Sequence, residues 1–255
     1  DASGAALATV IAQAVSAVLV TVTLMYRTEG MKLCLSQIRM YKRMLQSILK
    51  IGLPAGFEAI MYSISNIIVQ VSINNFGVDT MAAWTAYSKI DFIFWMINSA
   101  FGISVMTFVG QNYGAGKWDR IRRGTKICLG MALISAVSVS IILMSAERFL
   151  FGIFVNDAGV VEIGIRMMNV IAPAYLLFAF IEVFSGALRA QGAVVVSTLI
   201  TMVGICVLRM IWVTLVAAHG TLEQVIICYP ITWAAGALAM SIYYIYKQRK
   251  IFQAR

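Results

Sequence analysis

The sequence predicts an all-α integral membrane protein with about seven transmembrane helices, and three observations lead there. Sixty-one per cent of the 255 residues are hydrophobic and 12% are charged, where an ordinary soluble domain carries roughly 25% charge. A water-soluble core of this size could not hide so much apolar surface, so lipid must be the solvent. The apolar residues also come in long blocks. A span needs roughly 20 of them, and seven such segments occur, at 5–25, 52–75, 82–109, 125–147, 160–187, 193–217 and 223–246. None alternates with period two, which argues against a barrel. Backbone groups in lipid must then be satisfied within each segment, as only a helix does.

The first segment, 5–25, starts with no Met and no basic flank, and it is too long for a signal peptide. A start outside the membrane without a leader predicts a further N-terminal part. Between it and the second segment, Ile38, Tyr41, Leu45 and Ile48 recur at helical spacing, with Arg39, Lys42, Arg43, Gln46 and Lys50 elsewhere around the axis. This reads as an amphipathic helix on the inner membrane surface; the alternative is a solvated basic linker. Arg27, Lys32, Arg39, Lys42, Arg43 and Lys50 precede segment two; Lys117, Arg120, Arg122, Arg123 and Lys126 follow segment three. Arg189 follows segment five, and Lys247, Arg249, Lys250 and Arg255 form the tail, whereas the opposite loops hold only Arg148. Basic residues gather on the cytoplasmic side. The first helix therefore runs inward, the C-terminus is cytoplasmic, and the net charge of +9 needs no nucleic-acid partner.

Ionisable side chains inside a span are costly and mark function. At about 1.5 Å of rise per residue, Glu58 in segment two and Glu182 in segment five share an inner level, while Lys89, Asp91 and Arg209 share an outer one. Glu58 begins a stripe with Tyr62, Ser65, Asn66 and Ser72, and Gln70 at its margin. This predicts a wet cavity wall whose carboxylate binds a proton or cation, Na⁺ included; the alternative is a polar seam between helices. Asp91 shares its face with Trp84, Tyr87, Ser88, Trp95 and Asn98. A carboxylate among aromatic rings suits an organic cation; alternatively Asp91 pairs with Arg209. Glu182 shares a face with Tyr175, Phe178, Ser185 and Arg189 and is a second candidate for ion coupling. Lys89 points away from Asp91, and it and Arg209 read as structural charges. Pro54, Pro173 and Pro230 fall within spans, and Pro173, mid-span, is a candidate hinge.

Enzyme signals are weak. The single histidine, His219, sits in a turn, and no HExxH, GxSxG or P-loop pattern occurs. Cys34, Cys128, Cys206 and Cys228 form no CxxC, which speaks against a zinc site or a disulfide framework.

Three runs carry a resemblance. Ile51-Gly-Leu-Pro-Ala-Gly-Phe-Glu58 opens segment two; Thr107-Phe-Val-Gly-Gln-Asn-Tyr-Gly-Ala-Gly-Lys117 ends segment three; Ser185-Gly-Ala-Leu-Arg189 ends segment five. Together they resemble the C-terminal lobe of a bacterial MATE (multidrug and toxic compound extrusion) transporter. The resemblance implies twelve helices in two lobes, of which this chain supplies the last seven. Residues 1–27 become the last helix of the N-lobe, 28–50 the cytoplasmic connector, 51–246 a six-helix C-lobe and 247–255 a basic tail. It also implies export of organic cations in exchange for Na⁺ or H⁺, in a multi-pass bacterial cytoplasmic membrane protein. The partners would be lipid, small cations and the missing N-lobe, with no enzyme chemistry and no cofactor beyond the coupling ion. Some sodium-coupled relatives carry their acids where this chain has Tyr62 and Phe178, and the usual Arg-Gly-x-Gly-Asp turn is Arg189-Ala-Gln-Gly-Ala193 here. Two alternatives remain from residues alone: a lipid-linked sugar flippase of the same superfamily, and a seven-helix receptor.

Overall fold

A computed structural model describes residues 2–26, 33–34, 36, 38–216 and 220–253. Arg27, Lys32, His219 and Arg255, and part of the 28–50 segment, lie outside the described residues. The chain divides into two units, Asp1–Leu49 and Lys50–Arg255.

In the first unit α1 (Ala2–Tyr26) is apolar on every face, as a helix dissolved in lipid must be. Its Thr21 and Thr23 hydroxyls donate to the Ala17 and Leu19 carbonyls at 2.8 Å each, which turns these protons back onto the helix's own backbone. Residues 38–41 are not helical, and α2 runs from Lys42 to Asn74. Residues 42–50, expected in a separate surface helix, are thus the opening turns of α2. No breaker stands between Lys42 and Lys50, and Met, Leu, Gln and Lys all favour helix.

The second unit continues with α3 (Val78–Gly114), α4 (Trp118–Ser145), α5 (Glu147–Phe154), α6 (Ala158–Ile171), α7 (Tyr175–Ala190), α8 (Val194–Thr201), α9 (Leu208–Ile211), α10 (Leu222–Ile226) and α11 (Cys228–Gln253). No strand occurs among the described residues. Seven helical stretches among them are long and apolar enough to cross a membrane: Ala6–Tyr26, Lys42–Asn74, Val78–Gly114, Trp118–Ser145, Ala158–Ala190, Val194–Val216 and Leu222–Ile251. Each overlaps one predicted segment. Several run longer than the apolar blocks because charged ends join the helix; Arg120 to Lys126, expected in a loop, form the first turns of α4.

Three features break the spans. Pro173 lies in a 3-10 turn, Ala172–Ala174, between α6 and α7, where the ring removes a backbone donor. The turn is held from outside by Ser140 of α4, whose hydroxyl donates to the Ala172 carbonyl at 2.8 Å. Two π-helical stretches, Met202–Val207 and Trp212–Val216, flank α9. The short α5 lies in a connection read as loop, anchored by the fully buried Phe151 over Gly164.

Helix α7 is the centre. It packs against α3, α4 and α11, and the most apolar stretch of the Ala158–Ala190 span is more deeply buried than that of any other span. Outer faces stay apolar and exposed, as with Ile93 and Met96 on α3 and Met131 and Ile134 on α4. Two turns, after α3 and after α7, close alike. After α3, the Gly116 amide donates to Tyr113 and the Lys117 amide to Asn112; after α7, Gly192 donates to Arg189 and Ala193 to Leu188. Gly116 (φ +68°) and Gly192 (φ +79°) supply the left-handed residue this cap requires. The second turn closes through backbone alone, so Ala193 needs no carboxylate there.

Candidate functional site

Two of the cavities in the second unit flank Trp95, which lines both. The first, about 330 Å³, is walled by Asn66 of α2, Trp84, Tyr87 and Asp91 of α3, and Tyr229 and Trp233 of α11. Asp91 and Trp95 sit one turn apart on one face, and the indole Nε1 donates to Asp91 Oδ2 at 2.6 Å. The Tyr175 hydroxyl donates to Oδ1 and lies 3.2 Å from the Tyr87 hydroxyl. Every hydrogen-bond partner of Asp91 among the described residues is therefore neutral, and its charge is solvated but not cancelled. Rings surround it: Phe94 stacks on Tyr175 at 3.8 Å, Trp84 on Tyr87 at 5.4 Å, and Trp233 meets Trp95, Phe178 and Tyr229 edge-on. The Trp233 Nε1 is buried with no hydrogen-bond partner among the described residues.

Arg209 does not pair with Asp91. Fully buried, it donates to Asn66 Oδ1 at 3.2 Å and lies 4.2 Å from the centre of the Tyr229 ring. The π-helical stretch before it shifts its azimuth from that of a regular helix, so equal height does not bring the two charges together.

The second cavity, about 350 Å³, is lined by Glu58 and Tyr62 of α2, Gly102 of α3, and Phe178, Glu182 and Arg189 of α7. Here the charge is cancelled. Arg189 Nη2 donates to both Glu58 oxygens, at 2.7 and 2.6 Å, and the Thr198 hydroxyl to Oε2 at 3.1 Å. Arg189 Nε donates to Ser185 at 3.0 Å, and Ser185 lies 2.9 Å from Ser197. The expectation of Glu58 as an open cation or proton site is corrected to this extent: its acceptor sites are already engaged by an internal guanidinium. Glu182, one helix turn before Gly186, faces the same cavity without a hydrogen bond or ion pair among the described residues. Its carboxyl lies over Gly102, where a Cβ would overlap it, and a Cβ at Gly186 would meet the Gly102 carbonyl at 2.7 Å. The glycine-on-glycine crossing of α3 and α7 leaves the space that Glu182 occupies.

Of the remaining predicted residues, Trp84, Tyr87, Trp95 and Asn66 line the first cavity and Tyr62 the second. Asn98 is a correction: it is buried but lines neither, because two turns past Asp91 that face of α3 approaches the close crossing with α7. Lys89 is exposed, and Pro173 is exposed at its turn. Residues not singled out from sequence include Tyr175 as a ligand of Asp91, Thr198, Tyr229 and Trp233. Tyr229 and Trp233 stand four apart in one apolar segment, a readable aromatic face; Thr198 gave no signal.

The MatE family model matches residues 54–215, a stretch that contains Glu58, Asp91, Glu182, Arg189 and Arg209. The chain belongs to the MatE family. It is 25% identical over 256 residues to Probable multidrug resistance protein YoeA of Bacillus subtilis (strain 168), covering 97% of this chain and 55% of that protein. It is 23% identical to Multidrug export protein MepA of Staphylococcus saprophyticus, over 84% of this chain and 50% of that one. Among solved structures, a MATE in complex with MaL6 superposes with a TM-score of 0.89 at 16% identity, over 98% of this chain and 57% of the other. This MatE chain therefore has the MATE fold, is a multi-pass membrane protein, and spans about half the length of the curated relatives it matches. The seven-helix receptor reading falls with this match.

Proposed function

We propose that this MatE chain is the C-terminal lobe, with the preceding helix, of a secondary active exporter of small organic cations. The exporter exchanges them for Na⁺ or H⁺ by alternating access, in a bacterial cytoplasmic membrane with the C-terminus inside. One observation supports this most: Asp91, a carboxylate held only by neutral donors, faces an aromatic-walled cavity. An organic cation there gains both charge attraction and ring-face contact. The names of the relatives agree, MepA being a multidrug export protein and YoeA a probable multidrug resistance protein. A lipid-linked sugar flippase would want free cations on the cavity walls. Arg189 is the one Lys or Arg lining either cavity among the described residues, and it is paired with Glu58.

An ion drives export only through different affinities in the two states. Glu182 is the carboxylate suited to that role, because no side chain among the described residues hydrogen-bonds or pairs with it. Glu58, Arg189 and Thr198 form a neutral wall beside it, and Pro173 gives α7 a hinge at the turn before Tyr175. The test is Glu182→Gln in the full-length transporter, assayed in everted vesicles with sodium and proton gradients imposed separately. Efflux driven by the coupling gradient should fall to background, while equilibrium binding of a cationic dye stays within about twofold. Wild-type efflux under both gradients would remove Glu182 from the mechanism.

A further inference from the structure

A third cavity, remote from Asp91 and Glu182, lies between α4 and α11 at the end of the unit where the two glycine-closed turns sit. Of about 320 Å³, it is lined by Arg122 and Lys126 of α4 and by Tyr244, Ile245, Gln248 and Arg249 of α11. The C-terminal turns of α11 are pinned there, since Lys247 Nζ donates to the Gln191 carbonyl and Gln248 Nε2 to Gln191 Oε1, both at 3.0 Å. Helices α4 and α11 each pack on α7 and leave a groove between them, whose floor is Tyr244 stacked on Phe184 of α7 at 4.5 Å.

Three properties of this groove ask for an anion with an apolar tail. Arg122 and Lys126 stand one turn apart on one face and Arg249 adds a third cation, while no acid among the described residues lines the groove; like charges at this spacing repel. Neither Lys126 nor Arg249 is in an ion pair among the described residues. Arg122 lies in the second turn of α4, near its positive dipole end, where an anion is favoured and further cations are not. Tyr244 lines the groove and is itself buried (8% exposed), and its hydroxyl has no hydrogen-bond partner among the described residues; the nearby Thr125 hydroxyl directs its own proton to the Ile121 carbonyl at 2.8 Å. A buried unpartnered hydroxyl is costly unless a ligand or water meets it. Beside the cations lie exposed apolar side chains, Ile245 in the groove and Ile127 in the adjoining pocket with Asp119, Arg120 and Arg123. The excess of basic residues at one end of a membrane protein accounts for the sign of the charge. It does not account for a concave site with a buried hydroxyl in its floor.

We infer that this groove binds an anionic phospholipid, its phosphate held by Arg122, Lys126 and Arg249 and an acyl chain laid along Ile245 and Ile127. The orientation proposed above decides only which leaflet supplies the lipid, the cytoplasmic one. The full-length protein is purified in micelles doped with equal phosphatidylglycerol and phosphatidylcholine, and retained lipid is counted by native mass spectrometry. The wild type should retain phosphatidylglycerol about tenfold over phosphatidylcholine. The R122Q/K126Q/R249Q variant should lose that preference, and R39Q/K42Q/R43Q, with the same charge removed elsewhere, should keep it. Should the triple variant fail to fold, K126Q and Y244F serve instead, each expected to lower the preference about threefold to fivefold. Equal losses in the two triple variants, or unchanged retention in both K126Q and Y244F, would overturn the site. Complete displacement of the lipid by millimolar inorganic phosphate would reassign it to a soluble anion. No arm of the test depends on transport, so the lipid site and the exporter stand or fall separately.

Discussion

The two cavities flanking Trp95 solve the same problem in opposite ways. Each contains a carboxylate, Glu58 buried and Asp91 half-buried, that hydrogen bonds must stabilise in an apolar surround. Glu58 receives a guanidinium with two short contacts and one threonine hydroxyl. Asp91 receives an indole N–H and a tyrosine hydroxyl, both neutral. A cation from outside would compete with Arg189 for Glu58 but would meet Asp91 uncontested. The contrast teaches that burial alone does not mark a ligand-binding acid; the charge of its partners does. Glu182, beside the paired Glu58, shares with Asp91 the lack of a cationic partner among the described residues, but has no neutral donor among them either.

Breaking the pair should have the largest effect on stability. Removing one partner of this largely buried pair strands the other; because Arg189 keeps 27% of its side chain exposed, the cost is about 2 kcal/mol, below that of a fully buried pair. Glu58→Gln and Arg189→Gln should each destabilise the full-length protein by about that amount, read as a lowered unfolding midpoint in detergent. The double variant E58Q/R189Q should recover to within about 1 kcal/mol of wild type, since amides can hydrogen-bond each other. If both single variants unfold at the wild-type midpoint, the pair contributes nothing and the contrast with Asp91 loses its basis.

Asp91→Asn should show the reverse pattern. The amide oxygen still accepts from Tyr175 or Trp95, so the midpoint should move by no more than about 1 kcal/mol. Equilibrium affinity for a cationic dye should fall about tenfold, the loss of one charge–cation attraction in a partly screened site. Unchanged dye affinity with a large loss of stability would make Asp91 a structural residue like Glu58.

Much of this was legible along the chain and little of it across the chain. All seven spans follow from apolar blocks, and the 1.5 Å rise put Glu58 level with Glu182 and Asp91 level with Arg209. The first pair of levels did gather into one cavity. The second did not produce a contact, because height along a helix says nothing about azimuth, and the π-helical turns after Thr201 reset it. Arg189 was visible on the face of Glu182, yet its partner is Glu58 from another helix, a choice that only helix packing makes. Thr198 and Tyr175 complete the two carboxylate sites as ordinary members of apolar runs, which carry no mark of their role. The α5 helix and the extension of α2 back to Lys42 were hidden for a related reason: charged ends look like loops when hydropathy alone sets the boundary.

The smallest expected effect is the sharpest probe of how independent the two cavities are. A methyl added at Gly102 would overlap the Glu182 carboxyl, the mobile end of a flexible side chain, rather than backbone. Glycine to alanine inside a helix gains up to about 1 kcal/mol in propensity, which should offset the displacement of Glu182. Gly102→Ala should therefore keep the wild-type unfolding midpoint within about 1 kcal/mol. Dye affinity at Asp91, on the far side of Trp95, should stay within about twofold. Ion-driven efflux should drop several-fold, because the displaced carboxyl no longer occupies the position from which an ion would reach it. If efflux and dye affinity fall together, Trp95 does not separate the cavities, and the two acids belong to one site.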